Sequence, residues 1–367
     1  MKEVEEWTTR RGKPRLPNAG APVSATLLYH KWHAYDSDGD FDTKSSRVKF
    51  LSRVAALTNG ALAGYPAWYD RYFDGLKALG VNQERTVMSA TTVWRLVVGF
   101  ATNPALETGL SLHLLHGFPY LPGSAVRGLV RRVAEYELVK AREAWFELPG
   151  LPPEEKIDGF LTEAEELRAL FGSLAVDPPD PAPADPLWRT PRELLLHLRS
   201  RLAPEADALR KRISSLLSEH TGGVLTFYDA VPARDDLNPK GLLETDLLNP
   251  HYPDFYRRSG GLPPSDDQDP TPIYFLVVKP DVTFHFPFRI GRWPRSESRD
   301  DPRAAVLAGT SSEAVQDKVL SWLTDGLQTW GAGAKTAAGY GYFKLPGKNH
   351  AKPETPKRQG GNGGTKK

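Results

Sequence analysis

The sequence predicts an α+β protein built around a ferredoxin-like (RRM-like) βαββαβ unit. Between residues 91 and 345, segments with strand and helix patterns follow the order strand, helix, strand, strand, helix, strand, the order of a split βαβ unit. Polar and Pro-rich stretches separate these segments, so the unit must carry large insertions. The length of 367 residues weakly favours two domains. The order of the elements predicts one domain with appendages instead.

Residues 1–90 form a predicted N-terminal extension. Its first half has no periodic pattern, and its acidic stretch Asp36–Asp42 lacks the Gly and Glu that an EF-hand calcium loop requires. From about residue 45 to residue 80 the pattern becomes helical. Apolar and aromatic residues recur there at helical spacing: Val48, Leu51, Val54, Ala55, Trp68, Tyr72 and Leu76.

The first strand of the unit is predicted at Thr91–Phe100, and the first helix begins near Ser124. The strand segment, TTVWRLVVGF, is rich in β-branched and aromatic residues. In the helix, the apolar positions 126, 129, 130 and 133 share one side, whereas Arg127 and Arg131 lie on another.

A helical insertion is predicted at residues 140–220. This stretch is charged, and the Pro-rich segment Val176–Pro186 interrupts it, which no helix or sheet interior tolerates. The second strand of the unit is predicted at Gly222–Val231. The chain from there to about residue 272 is too rich in Pro, Asp and Gly to belong to the core, so we expect a long loop.

Two further strands are predicted at Ile273–Val278 and Val282–Ile290. The first is a continuous apolar run, which indicates a fully buried strand, and the second alternates strictly between apolar and other residues. Pro287 lacks a backbone N–H, which favours an edge or a bend. The last helix is predicted to begin with a capping box from Thr310 to Glu313, and YGYFKL is the final strand.

Composition excludes several functional classes. The chain has no Cys, so disulfides, zinc–thiolate sites and thiol nucleophiles are absent. The net charge is +2, and the tail at residues 346–367, which we expect to be disordered, is basic, so the rest is slightly acidic. Any nucleic-acid contact must therefore come from local patches. No segment has the pattern of a signal peptide or a membrane span, so we expect a cytoplasmic protein.

The segment Trp330–Phe343, WGAGAKTAAGYGYF, is a candidate anion site. It cannot be a Walker A loop, because aligning on Lys335 and Thr336 leaves Thr329 and Ala334 where that loop requires Gly. It follows a helix and precedes a strand, which also excludes the dinucleotide-binding fingerprint. Two interpretations stay open. Backbone amides, the Lys ammonium and the Thr hydroxyl contact phosphates, or the segment is only a tight turn between helix and strand.

The start of the first helix is a second candidate anion site. With Ser124 as the N-cap, Arg127 would lie in the first turn, where a cation opposes the helix dipole unless an anion binds there. Free amides, the Ser hydroxyl and Arg127 would then hold a phosphate, with Arg131 one turn further on. A solvated arginine face is the alternative.

These segments resemble the RAMP superfamily of CRISPR RNA-binding proteins. The resemblance covers about residues 90–345 and is carried by PGSAVRGLVR, LFGS, GGVLTFYDAVP and GAGAKTAAGYGYF. The loop TDLLNPHYPDFY, followed by a Pro-rich run and PIYFLVV, resembles more narrowly the sixth subunits of type III-B (Cmr) effector complexes.

The resemblance implies a RAMP fold and a non-catalytic subunit that binds the guide RNA. It also implies a position at the end of the complex that holds the three-prime part of the guide. Implied partners are the guide RNA, a backbone RAMP subunit, the small helical subunit and the terminal RAMP subunit, and target RNA stays open as a further one. No membrane partner or cofactor is implied. The residues that it places on the RNA are Ser124, Arg127, Arg131, Gly331, Gly333, Lys335, Thr336 and Gly339.

The histidines do not assemble into a predicted active site. Metal-independent RNA cleavage needs a general base and acid near a ribose hydroxyl, and no His has a partner that spacing assigns. The pairs His30/His33 and His113/His116 lack further ligands at metal-site spacing, so we expect no metal. Two other hypotheses stay open: a stand-alone guide-processing endoribonuclease of the same superfamily, and an end-cap that contacts only protein.

Overall fold

The computed structural model describes residues 26, 29, 30, 44–101, 108–173, 190–218, 221–234, 241–249, 272–291 and 302–346. Several predicted features lie outside these residues: the acidic stretch at 36–42, the Pro-rich segment at 176–186, most of the TDLLNPHYPDFY loop, and all of the basic tail except Pro346.

Helices and strands are both abundant in the described residues, as the α+β prediction requires. The strands are β1 (Val87–Thr92), β2 (Leu225–Phe227), β3 (Val231–Pro232), β4 (Leu243–Leu248), β5 (Ile273–Val278), β6 (Thr283–Ile290) and β7 (Phe343–Lys344). The α-helices are α1 (Lys44–Ala61), α2 (Tyr65–Ala78), α3 (Gly123–Lys140), α4 (Glu154–Phe171), α5 (Pro191–Arg201), α6 (Asp207–Ser218), α7 (Pro302–Leu307) and α8 (Ser312–Asp325).

The larger sheet has the order β7-β1-β6-β2, and all of its pairs are antiparallel. The short strand β3 also pairs with β6, on the side that β2 occupies further along. Buried side chains of the sheet, of α1 and α2, and of α3 to α8 form one continuous hydrophobic core. Helix α2 is also hydrogen-bonded to β3, because the Tyr65 hydroxyl donates to the carbonyl of Pro232 at 2.6 Å.

Strand β6 confirms the alternating pattern that predicted it. Phe284, Phe286 and Phe288 are almost fully buried, whereas Thr283 and His285, which alternate with them, are partly exposed. Pro287 does not lie at an edge, because β6 is paired on both sides. It lies where the neighbour of β6 changes from β2 to β3, so its missing N–H interrupts no continuous ladder.

The first strand was predicted too far along the chain. Strand β1 ends at Thr92, and residues 93–98 leave the sheet to pair with the segment after α8 and, through Leu96, with β5. Leu96 and Val97 are buried by these contacts, which accounts for their apolar character without a place in the main sheet. The predicted second strand is likewise divided, into β2 and β3.

The long loop predicted before residue 272 contains a strand. Residues Leu243–Leu248 form β4, which pairs with β5 in a separate two-stranded antiparallel sheet. Strand β5 is buried on both faces as predicted: Leu276 and Val278 join the main core, and Phe275 and Val277 join a smaller apolar cluster with Val97 and Tyr340. The pattern of β4, LETDLL, is too polar to indicate a strand by itself.

The predicted helix caps are displaced by one or two residues. Helix α8 is capped by the Ser311 hydroxyl, which accepts from the Ala314 amide, rather than by a box that begins at Thr310. Helix α3 begins at Gly123 with Pro122 as its N-cap, so Ser124 is its second residue and not the cap. Arg127 therefore lies beyond the residues whose amides are free.

Candidate nucleic-acid interface

A π-helical turn connects α8 to the glycine-rich segment Gly331–Gly341, called the glycine loop below. The turn spans Gly326–Trp330, and the amide of Gly331 closes it by donating to the Gly326 carbonyl at 2.9 Å. A Cβ atom at Gly326 would lie 2.9 Å from the Leu129 side chain of α3. Helix α3 is thus packed against the turn that leads into the glycine loop.

Two glycines of the loop are required for close packing. A Cβ atom at Gly341 would lie 1.9 Å from the Ala332 carbonyl oxygen, and one at Gly333 would lie 2.2 Å from the Val97 carbonyl oxygen. Both residues also have positive φ, +77° and +87°. At Gly339 the surroundings are open, and only its φ of +90° favours Gly. Gly is therefore required at 333 and 341 by close packing and by positive φ, and is favoured at 339 by positive φ alone.

Residues 93–98 hold the glycine loop in place through backbone hydrogen bonds. The Ala334 amide donates to the Val97 carbonyl at 2.8 Å, and the Gly341 amide donates to the Arg95 carbonyl at 2.9 Å. The Ala332 amide donates to the Gly341 carbonyl at 2.8 Å, which ties the two ends of the loop together. This network leaves the middle of the loop projecting between two fixed ends.

The middle of the glycine loop presents three consecutive amides without an acceptor. Lys335 has a left-handed conformation, with φ 62° and ψ 30°, and is followed by the 3₁₀ turn Thr336–Ala338. In the part of the chain that the structure describes, no group accepts from the amides of Lys335, Thr336 and Ala337. A left-handed residue followed by a right-handed one turns successive amides toward a common point and forms an anion-binding nest.

The Lys335 ammonium lies against two aromatic rings. Its Nζ is 5.1 Å from the ring centroid of Phe100 and 5.8 Å from that of Phe275. These rings pack edge to face. Lys335 makes no ion pair with any described residue, and its side chain is partly exposed. The rings hold the ammonium by cation–π contacts, and the partly exposed side chain leaves its charge available to an anion.

An ionic cluster supports the glycine loop from the side of β4. The Arg95 guanidinium contacts Glu244 at 2.5 Å and Asp246 at 3.2 Å, and the Tyr340 hydroxyl donates to Asp246 at 2.5 Å. Burial, followed by this hydrogen bond, raises the pKa of the Tyr340 hydroxyl above its usual value. Tyr340 therefore stays neutral and continues to donate across the physiological range.

The N-terminus of α3 differs, because a carboxylate of the protein already lies there. The Gly123 amide donates to Asp229 Oδ1 at 2.7 Å, and a Cβ atom at Gly123 would lie 2.4 Å from the Phe227 carbonyl oxygen. Asp229 supplies the negative charge that a helix N-terminus favours. Ser124 is exposed beside it, and its side chain forms no cap.

The two arginines of α3 contact the turn after α4. One Nη of Arg127 donates to the Phe171 carbonyl, and Arg131 donates to the Ser173 carbonyl at 2.9 Å and to Glu135 at 2.7 Å. Burial, together with the nearby Arg131, lowers the pKa of Arg127 below its usual value. The LFGS motif thus supplies backbone acceptors for both guanidinium groups.

The structure brings together five of the eight predicted RNA-binding residues. Gly331, Gly333, Lys335, Thr336 and Gly339 all lie in the glycine loop, whereas Ser124, Arg127 and Arg131 lie on α3. Sequence reasoning did not single out Trp94, Arg95 and Phe100, which stand beside the loop. The pair Trp94–Arg95 interrupts an otherwise apolar run, and that interruption is the signal that could have found them.

The paired histidines of residues 113 and 116 lie in an aromatic cluster. Their ring centroids are 5.2 Å apart, and His113 stacks on Phe118 at 4.7 Å beside Trp68. Burial, followed by the neighbouring His116, lowers the pKa of His113. Among the described residues, no three His, Asp or Glu side chains come close enough to hold a metal ion, and no helix is long and apolar enough to cross a membrane.

Residues 89–344 match the family model described as the RAMP superfamily. The chain is also 28% identical over 294 residues to a protein of Pyrococcus furiosus named CRISPR system Cmr subunit Cmr6, an alignment that covers 76% of this chain and 72% of that protein.

Similar solved structures include a chain of a type III-B Cmr-beta complex bound to cognate target RNA. It is 20% identical with a TM-score of 0.45, and the match covers 94% of this chain and 86% of that one. Another is the crystal structure of Cmr6 from Pyrococcus furiosus, 24% identical with a TM-score of 0.31, where the match covers 71% of this chain and 97% of that one.

Proposed function

Because the chain belongs to the RAMP superfamily, we propose that it is a non-catalytic guide-RNA-binding subunit of a type III-B CRISPR effector complex in the cytoplasm. The similarity to the Cmr6 subunit over most of both chains supports this assignment. The place in the complex would be the three-prime end of the guide. Neighbours would be a backbone RAMP subunit, the small helical subunit and the terminal RAMP subunit.

The larger sheet is the ferredoxin-like part of the proposal. Taking β1, β2, β6 and β7 as the four strands of a βαββαβ unit, the observed order reads 4-1-3-2 with every neighbour antiparallel. A split βαβ unit has this connectivity, with α3 and α8 as its two helices. The sheet β4–β5 is then an insertion. Residues 1–90, 91–345 and 346–367 would be the N-terminal extension, the RAMP domain with its helical insertion at 140–220, and the tail.

The nest in the glycine loop is the observation that carries the RNA-binding proposal. Among the described residues, the three consecutive amides of residues 335–337 have no acceptor, and the Lys335 ammonium beside them has no ion-pair partner. A phosphate there would accept from the amides and neutralise the ammonium, and Thr336 adds a hydroxyl donor. Gly331, Gly333 and Gly339 keep the backbone in the conformation that exposes the amides.

Helix α3 would supply further contacts to the RNA backbone. A guanidinium has five N–H donors, of which Arg127 uses one and Arg131 two in the hydrogen bonds described above. The remaining donors are available to phosphate without breaking the bonds to the turn after α4. The exposed Ser124 hydroxyl would be a third contact on this helix.

Lys335→Ala in the full-length chain, with Lys344→Ala as the matched control, tests the proposal. Both variants lose one positive charge, but the Lys344 ammonium is paired with Asp281 at 2.6 Å. We expect Lys335→Ala to weaken the binding of a guide-length single-stranded RNA about tenfold, the value of a charged hydrogen bond. It should also lower the slope of log K against log salt by about 0.7, which corresponds to one phosphate. Lys344→Ala should change little.

If the two substitutions weaken RNA binding equally, or if Lys335→Ala does not weaken it, the nest is not part of the RNA-binding site. The RNA recovered from the same mixtures tests the absence of catalysis. Intact RNA after incubation without metal is the expected result. Shortened RNA that disappears in a His→Ala variant would favour the endoribonuclease instead.

A further inference from the structure

We propose that Trp94 is a stacking platform for one base of the RNA whose phosphate occupies the Lys335 nest. This inference rests on the RNA-binding function proposed above and adds a residue that contacts the base rather than the backbone. Strand β1 ends at Thr92, and Leu96 and Val97 further along the chain are buried. Trp94 lies between Thr92 and Leu96 in the sequence and keeps 45% of its surface exposed.

The indole of Trp94 is held in position by Arg95. The guanidinium carbon lies 4.7 Å from the centre of the indole ring, and the guanidinium is itself fixed by Glu244 and Asp246. A guanidinium over an aromatic ring is an attractive cation–π contact. Because the ring is oriented before any ligand arrives, little side-chain entropy is lost when a second flat group stacks on its exposed surface. Aromatic side chains of this kind bind bases of single-stranded RNA.

Trp94 lies beside the chain that leaves the nest. The amide of Val93 donates to the Tyr342 carbonyl at 2.8 Å, and the Arg95 carbonyl accepts from the Gly341 amide. On the side-chain level, Asp246 connects Arg95 to Tyr340, and the Tyr340 amide donates to the Lys335 carbonyl at 3.3 Å. The platform and the nest therefore belong to one hydrogen-bonded unit, which holds them in a fixed relation to each other.

The charges around Trp94 favour a base over a phosphate. Two carboxylates, Glu244 and Asp246, accompany the single positive charge of Arg95, and both are partly exposed. A phosphate at this point would be repelled, whereas an uncharged base would not. At Lys335, by contrast, the positive charge has no carboxylate partner in the part of the chain that the structure describes. The arrangement therefore favours a nucleotide bound with its phosphate at the nest and its base on the indole.

The test compares two RNAs of equal length, one of uridines and one of abasic ribose phosphates, on the full-length chain. Trp94→Ala should weaken the binding of oligouridine about tenfold, because stacking on an aromatic side chain is worth about 1–3 kcal/mol per base. Binding of the abasic RNA, and the salt dependence with either RNA, should be unchanged. Trp94→Phe should retain most of the affinity for oligouridine, and Leu115→Ala, which truncates a more exposed apolar residue on a turn, is the control.

The outcomes separate the two proposals. Lys335→Ala should weaken both RNAs, so a Lys335 effect without any Trp94 effect overturns the platform and leaves the RNA-binding function intact. Equal weakening of both RNAs by Trp94→Ala would make the indole a structural residue. Unchanged RNA binding combined with poorer assembly with neighbouring subunits would make Trp94 a protein contact. Wild-type chain that binds neither RNA at low salt would overturn both proposals.

Discussion

The glycine loop and the N-terminus of α3 were predicted as anion sites on similar grounds, yet they differ in the hydrogen-bond partners that the folded chain provides. At the loop, no described residue accepts from the amides of Lys335 to Ala337 or pairs its carboxylate with the ammonium. At α3, the Gly123 amide already donates to Asp229, and the guanidinium groups donate to carbonyls. Residue types identify groups that can bind an anion. Only the hydrogen-bond partners show which of them are still free to do so.

The largest effect is expected from Gly341→Ala, which tests whether the loop conformation creates the nest. The new Cβ atom would meet the Ala332 carbonyl at 1.9 Å in a backbone with positive φ, so the chain must shift. We expect a loss of about 2–4 kcal/mol in the free energy of unfolding, measured in urea, together with a loss of RNA binding. Gly339→Ala is the control, because it shares positive φ but meets no neighbouring atom within 4 Å. Equal losses from both would show that the close approach is unimportant.

A smaller effect is expected from Tyr340→Phe, which removes the hydrogen bond from the loop to Asp246. The free energy of unfolding should fall by about 1–2 kcal/mol, because a charged acceptor loses its donor. The raised pKa of Tyr340 adds a pH dependence: its contribution is complete below the unfolded-state pKa of 10 and is lost as pH rises toward the folded-state pKa.

This pH dependence is tested by measuring the free energy of unfolding of wild type and of Tyr340→Phe at alkaline pH. Burial also raises the pKa values of Tyr29 and Tyr65, which are buried, and of Tyr72, which is partly buried, so wild-type stability should decline above pH 10 from several residues at once. Tyr340→Phe should decline less steeply over the same range. Parallel curves for the two proteins would show that Tyr340 ionises equally easily in the folded and unfolded chains.

The smallest effect is expected at the other region, from Asp229→Ala. Loss of the carboxylate leaves the Gly123 amide without its acceptor and should lower the free energy of unfolding by about 1 kcal/mol, the usual value for an N-terminal cap. Asp229→Asn keeps an acceptor oxygen and should lose only a few tenths of a kcal/mol. If α3 lies along the RNA, removing the negative charge should also strengthen RNA binding in both variants. Weaker binding would contradict the assignment of α3 to the interface.

Much of the secondary structure could be predicted from periodicity. The twofold alternation of β6, the continuous apolar run of β5 and the helical spacing of α1, α2 and α8 each reflect burial that repeats along a single element. The glycine loop was also identifiable, because positive φ and close approach select Gly locally. The polar strand β4 was missed, because its pairing with β5 depends on backbone hydrogen bonds that leave no mark on side-chain pattern.

The sequence by itself therefore determined most of the helices and strands, though not β4, as well as which loop is rich in Gly and the superfamily that these segments resemble. The tertiary structure alone decided that residues 93–98 leave the sheet to hold the loop, that Asp229 caps α3, and that Arg127 and Arg131 contact the turn after α4. The physical reason is the range of the interactions. Helical and strand periodicity is set by neighbours along the chain, whereas the partner of a given amide, guanidinium or carboxylate is chosen from groups that only folding brings together.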